Sequence, residues 1–204
     1  MKHLLNKTVA ADQNKGGSGK TTLILGLALT AQRLHPDLDL VVVDLEGQAA
    51  SWIKRFELPL RCMRSFPRDG GHFTLVDTPG GNPLIASEGI RRSDLVLVPI
   101  RASQLDFAKS AEVIQAVQGA ERLIGWVPSQ VHTGVASEDG LGATLRQMMH
   151  AGAESMPSGL VLPPIRYLPS MPSFLQGRTA VHPARDFEGV WQKLEAHLKR
   201  TKTP

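Results

Sequence analysis

The sequence predicts an α/β protein with a mainly parallel, twisted sheet and helices on both faces. Three observations carry this. Short apolar runs recur without the polar alternation of half-exposed strands, longer segments of helical periodicity separate them, and a glycine-rich turn joins the first run to the first periodic segment. Strands covered by helices on both sides read as unbroken apolar runs, and parallel neighbours need helical crossovers between them.

Thr8-Val9-Ala10-Ala11 is the first such run, and Thr21 to Leu34 follows the glycine turn as the first helix. Leu40-Val41-Val42-Val43, Phe73-Thr74-Leu75-Val76, Leu95-Val96-Leu97-Val98, Leu123-Ile124-Gly125-Trp126-Val127 and Leu160-Val161-Leu162 supply further strands. Ser103 to Val117 reads as a helix with Ser103 as its N-cap. Asp186 to Arg200 reads as another, with Phe187, Val190, Trp191, Leu194 and Leu198 on one face. Such a stripe packs on a core or lies in a membrane surface, and the core is the expected partner. Prolines at 157, 163, 164, 169, 172 and 183 exclude a long helix between them and predict a strand followed by a shaped loop.

A chain of 204 residues, 42% of them hydrophobic, buries one core, so residues 1–204 are expected to form a single domain. The single cysteine, Cys62, excludes an intramolecular disulfide and fits a reducing cytoplasm, as an inert thiol in a strand-like stretch. No stretch approaches the roughly 20 apolar residues of a membrane span, and the first residues lack the apolar run of a signal peptide. Residues 1–159 carry 16 Lys/Arg against 16 Asp/Glu, and residues 160–204 carry 7 against 3, so the whole excess of positive charge falls at the C-terminal end. That distribution points to a polyanionic partner or to cations solvating a helix end.

The chemistry concentrates in Lys15-Gly16-Gly17-Ser18-Gly19-Lys20-Thr21-Thr22. A strand, a glycine turn and a helix in that order converge unpaired backbone N–H groups and the positive helix pole on one point, which suits a phosphate chain. Gly16, Gly17 and Gly19 permit close backbone approach, Lys20 reaches the β- and γ-phosphates, and the Thr21 hydroxyl is placed for Mg2+. The usual pattern has Gly at position 14, where this chain has Asn14, a residue that tolerates left-handed backbone.

Lys15, ahead of the glycines, makes this segment resemble the K-G-G-x-G-K-[ST] signature of the deviant Walker A ATPases, the ParA/MinD superfamily of P-loop NTPases. Val41 to Gln48 resembles that family's D-x-D-P-Q motif, and Leu75-Val76-Asp77-Thr78-Pro79-Gly80 resembles its Walker B segment. Ser93 to Ile100 with Ser103 to Asp106, and more loosely Pro164-Ile165-Arg166 to Gly177-Arg178, resemble later parts of ParA-type partition ATPases. With the first strand at residue 8, the chain looks like the small subclass lacking an N-terminal helix-turn-helix domain.

The resemblance implies a Mg-ATP-dependent homodimer and slow hydrolysis of ATP. Lys15 would reach the partner's phosphates, Asp77 would hold the metal directly or through water, and Asp44 would support the metal and the switch. A carboxylate at either strand end also suits capping of the next helix. Glu46 stands where the family usually has the water-orienting Asp, and Gly47 stands for the usual Pro and is expected to loosen the turn. Pro164 and Arg166 would lie near the adenine. The leading functional expectation is a cytoplasmic, nucleoid-associated ATPase. It would bind nonspecific double-stranded DNA through Arg166, Arg178, Lys193, Lys199, Arg200 and Lys202, and position a plasmid, chromosome or other cargo with a ParB-like or other adaptor. A MinD-like membrane-associated regulator is the second reading, ranked lower because no apolar residue follows Leu198. A cluster-bearing reductase of the same superfamily would need more cysteines than Cys62.

Overall fold

The computed structural model describes residues 2–14, 16–101, 104–131, 159–166, 169–176, 178 and 181–201. Lys15, Ser103, Gly177 and Lys202 lie outside the described residues.

The elements run β1 (Thr8–Ala11), α1 (Lys20–Leu34), β2 (Leu40–Asp44), α2 (Gln48–Arg55), β3 (Arg61–Met63), β4 (Phe73–Asp77), α3 (Pro83–Arg91), β5 (Leu95–Ile100), α4 (Gln104–Gly119), β6 (Leu123–Val131), β7 (Leu160–Val161), β8 (Ile165–Arg166), α5 (Met171–Leu175) and α6 (Val181–Arg200). The strands form one sheet in the order β3-β2-β4-β1-β5-β6-β7, and β8 pairs with β6 beyond the reach of β7. Every pairing is parallel. This is the predicted architecture, and β2, β4 and β5 are buried along their whole length, as unbroken apolar runs require.

Helices cover both faces. On one, α1 and α6 pack over Val9, Ala11, Val42, Leu75 and Leu97; the other carries Ala10, Val41, Val43 and Val76, and a third cluster joins Val96 and Val98 to Val113 and Val117 of α4. The α6 stripe of Phe187, Val190, Trp191, Leu194 and Leu198 is at most 2% exposed, so this face is spent on the core and is not offered to lipid. Trp191 meets Phe73 edge-on at 5.5 Å, and Phe187 stacks on Phe174 at 5.2 Å. Phe187 also fills the space above Gly26, where a Cβ on α1 would overlap its ring.

Three features depart from what the sequence predicts. Helix α6 begins at Val181, ahead of the expected Asp186, because Pro183 falls in its first turn, where no N–H has an intrahelical acceptor to lose. For the same reason Pro172 opens the short helix α5 inside the stretch read as loop. Helices α2 and α3 add to the helices read from the sequence, and their starts are set locally, α2 by Gly47 and α3 by Asn82, whose side chain accepts from the Ile85 N–H. Cys62 is half-buried on β3, and burial pushes its thiol up to about 11, in keeping with an inert residue.

Candidate functional site

Strand β1 lies between β4 and β5, and the chain leaves it first toward β2 and later toward β5. Beyond the C-terminal ends of the strands at such a reversal lies a crevice with no crossover above it. The glycine turn follows β1 at this place. Gly17 and Gly19 have φ of 70° and 96°, and Gly19 serves as N-cap of α1 without a side-chain cap, which leaves the first-turn N–H groups facing the crevice. A Cβ on Gly16 or Gly17 would meet nothing within 4 Å, so both border open space.

Lys20 is 8% exposed and donates from Nζ to the Gln13 carbonyl at 3.0 Å, which folds it along the floor of the crevice. It passes close over Gly80, where a Cβ would come within 2.9 Å of Nζ. Gly80 therefore matters by being small. Asn14 does not have positive φ; its amide donates to Glu112 Oε2 at 2.6 Å, so its place here owes nothing to left-handed tolerance.

The sheet register brings the carboxylates together, with Asp44 opposite Asp77 and Asp77 opposite Ala11. The Thr21 hydroxyl donates to Asp77 Oδ2 at 2.8 Å, while Asp77 Oδ1 is buried with no hydrogen-bond partner. Burial pushes the Asp77 carboxyl up to about 7, and Asp44 and Glu46 push the same way against the Thr21 hydrogen bond and Lys20. A hydroxyl and a carboxylate with one orphaned oxygen are hard donors that suit Mg2+. Among the described residues no cluster of three or more His, Cys, Asp and Glu could hold a metal alone, so such an ion would depend on phosphate oxygens and water for the rest of its shell.

Asp44 is fully buried and accepts three backbone N–H groups: Oδ1 from Glu46 at 3.0 Å and Gly47 at 2.6 Å, Oδ2 from Ala50 at 2.7 Å. It thus ties the start of α2 to the end of β2. Gly47 has φ of 111°, and a Cβ there would overlap the Arg64 guanidinium. The expected loosening is not what the geometry shows: glycine is what lets this turn close onto Asp44. Glu46 is exposed and lines a cavity of about 440 Å³ together with Gly16 to Thr22, Gln48, Gly80, Gly81 and Gln130.

Several residues join the site that no motif marked. Gln130, next to last in β6, has φ of 57° and donates to the Gly17 carbonyl at 2.8 Å, bracing the glycine turn from another strand. Asp12 is buried, and burial raises its carboxyl. The Thr78 hydroxyl faces two acceptors, the Ala11 carbonyl at 2.8 Å and Asp12 Oδ1 at 2.6 Å, and its one proton can go to either. A second cavity of about 490 Å³ opens from Gly19, Thr21 and Thr22 and is walled by Trp52, Ile165, Arg166, Pro169, Met171 and Leu175. Pro164 does not line it.

The C-terminal cations are partly engaged within the chain. Arg166 is clamped on the buried Asp186 through Nε at 3.0 Å and Nη2 at 2.6 Å, and Lys199 pairs with Glu195 at 3.2 Å. Arg178, Lys193 and Arg200 are exposed.

No protein-family model and no curated protein sequence matches this chain. Solved structures do, and they share the fold of the ParA/MinD deviant Walker A ATPases. Among them, McdA of Cyanothece in complex with ATP is 16% identical, with a TM-score of 0.68 over 93% of this chain and 96% of that one. A plasmid partition protein of Borrelia burgdorferi bound to AMPPNP is 12% identical, with a TM-score of 0.70 over 94% and 99%. MinD of Aquifex aeolicus is 10% identical, with a TM-score of 0.69 over 97% and 98%. At these identities the likeness establishes the shared fold.

Proposed function

We propose that this chain is a Mg-ATP-dependent dimerising ATPase that positions a plasmid, chromosome or other cargo on nonspecific duplex DNA, with hydrolysis stimulated by an adaptor protein. The observation that carries the reading is the joining of Thr21 to Asp77 beneath a glycine turn whose lysine lies in the same crevice. McdA with ATP and a partition protein with AMPPNP share this architecture, and a cobyrinic acid a,c-diamide synthase with the same fold was solved with an ATP analogue and magnesium.

In this reading the backbone N–H groups of Gly16 to Thr22 hold the phosphates, and Lys20 swings from the Gln13 carbonyl to the β- and γ-oxygens. Thr21 and Asp77 would hold the magnesium ion, which when bound neutralises charge on those oxygens. Lys15 supplies a cation across the dimer, so that triphosphate favours two subunits and its cleavage releases them. Glu46, on the rim, orients the attacking water. The base occupies the cavity walled by Trp52 and Pro169, with Arg166 held at its edge by Asp186.

The test is titration with a fluorescent ATP analogue beside phosphate-release kinetics. Lys20→Ala should lose nucleotide affinity by at least tenfold, since a desolvated charge-assisted contact is worth more than about 1.4 kcal/mol. Glu46→Ala should bind normally and hydrolyse more slowly. Unchanged affinity in Lys20→Ala would remove the foundation of the reading.

A further inference from the structure

We infer that the outer edge of the sheet at β3, with the end of α2 and the C-terminal end of α3, is the surface that takes the phosphate backbone of duplex DNA. The inference rests on the partition reading above and assigns its DNA site to a place other than the C-terminal helix.

Residues 51–68 hold five Lys/Arg (Lys54, Arg55, Arg61, Arg64, Arg68) against one acid, Glu57. Topology then gathers them. Strand β3 is outermost and pairs with β2 alone, and α2 packs on it from the face that holds Trp52, Phe56 and Cys62. Phe66 packs on the opposite face, and the Arg92 guanidinium from the end of α3 lies 4.7 Å above its ring. Cations thus reach the rim from both faces and from the strand between them.

Pairing within the chain takes up part of each basic surface, and the rim differs in how many cations one short stretch of chain brings together. Arg61 pairs with Asp39 and Arg92 with Glu88, but Lys54, Arg55, Arg64, Arg68 and Arg91 are exposed and form no ion pair among the described residues. Near the C-terminus Arg166 is clamped on Asp186 and Lys199 on Glu195, while Arg178, Lys193 and Arg200 are exposed. Unpaired like charges held together repel one another, and a polyanion laid across them relieves that cost while giving up its own counterions. Guanidinium groups suit phosphate because their donors form a planar fork.

The rim also touches the nucleotide site. Arg64 Nη2 lies 3.4 Å from the Glu46 carbonyl, and its guanidinium covers Gly47. A change in the Glu46–Gly47 turn on triphosphate binding moves Arg64 with it, so DNA affinity is coupled to nucleotide within one subunit and not only through dimerisation.

The experiment is anisotropy on a random-sequence duplex over a salt series, using the full chain with a non-hydrolysable ATP analogue or ADP. Lys54→Gln/Arg68→Gln should flatten the dependence of log affinity on log salt by about 0.9 for each phosphate that the variant no longer neutralises, while Lys193→Gln/Arg200→Gln keeps the wild-type slope. Arg64→Gln should shrink the difference between the ATP-analogue and ADP states. Unchanged affinity for the analogue in the Lys54/Arg68 variant shows that it is folded. A flatter slope in Lys193→Gln/Arg200→Gln, with the rim variant like wild type, overturns the inference and leaves the partition reading standing. Wild-type protein that binds no duplex in any nucleotide state overturns both. Poly-glutamate that displaces DNA at lower charge concentration than salt does, and fails to do so in the rim variant, makes the edge a site for an acidic protein and overturns the inference. An unchanged slope with new aggregation in the rim variant leaves these cations the duty of blocking strand pairing at an open edge, and also overturns it.

Discussion

Asp77 shows how burial concentrates instability in a single residue. Its carboxyl is raised from 3.8 to about 7 by burial, with Asp44 and Glu46 adding like charge. Between those values the folded chain keeps a proton that the unfolded chain has released, so stability falls as pH rises through this window and the whole penalty is present above about 7. Asp77→Asn removes the titration while keeping an acceptor for the Thr21 hydroxyl. Thermal melts of the nucleotide-free protein should place the variant above wild type at pH 8, with the gap closing toward pH 5. Added Mg2+ with an ATP analogue should raise the wild-type melting temperature far more than the variant's. A wild-type melting temperature that climbs from pH 5 to 8 with no change on substitution would show that Asp77 is not held in this way. That Asp77 ends a buried strand was readable from the run of apolar residues before it. Its orphaned oxygen was not, because burial and partners arise only when β2, β1 and α1 close around it.

Among the elements, the turn into α2 is the one whose sequence misleads most. Glycine in place of proline at position 47 reads as slack, yet Asp44 ties the N–H groups of Glu46, Gly47 and Ala50, and Arg64 covers the glycine from another strand. The Asp44 contacts are local and match the helix capping that a strand-end carboxylate suits, whereas Arg64 follows another strand and could not be read from the segment. A left-handed alanine costs about 1–2 kcal/mol, and displacing Arg64 adds to this. Gly47→Ala should therefore lower urea stability by at least that amount and slow hydrolysis. Gly16→Ala, where a Cβ meets no protein atom, should leave stability unchanged and weaken nucleotide binding. Equal stability of Gly47→Ala and wild type would mean that the turn is not closed as described.

At the scale of the whole molecule, the crevice opens at one rim of the sheet, and Lys15 precedes in sequence the Gly16 that lines it. Its proposed contact lies across a dimer, so Lys15→Ala should bind the ATP analogue as a monomer while wild type becomes a dimer, both read by light scattering. A Lys15→Ala dimer of normal stability would return this residue to an ordinary surface role. Helix α6 sets a second expectation at this scale. Its apolar stripe is consumed by α1 and the sheet, so flotation with anionic liposomes should recover no more protein with the ATP analogue than with ADP.

Residue order alone determined the architecture and the glycine turn of this protein, because both are written locally. Unbroken apolar runs record burial on two faces, and strand, glycines, lysine and threonine must be consecutive to wrap one point. The order of the strands, the meeting of Asp44 with Asp77, the brace from Gln130 and the clamp of Asp186 on Arg166 were decided only in tertiary structure. So was the charge of the surface. Along the chain the cations thicken toward the C-terminus, but charge acts through space, and Asp186 and Glu195 engage some of them there while the fold collects Lys54, Arg64, Arg68 and Arg92 around the edge at β3.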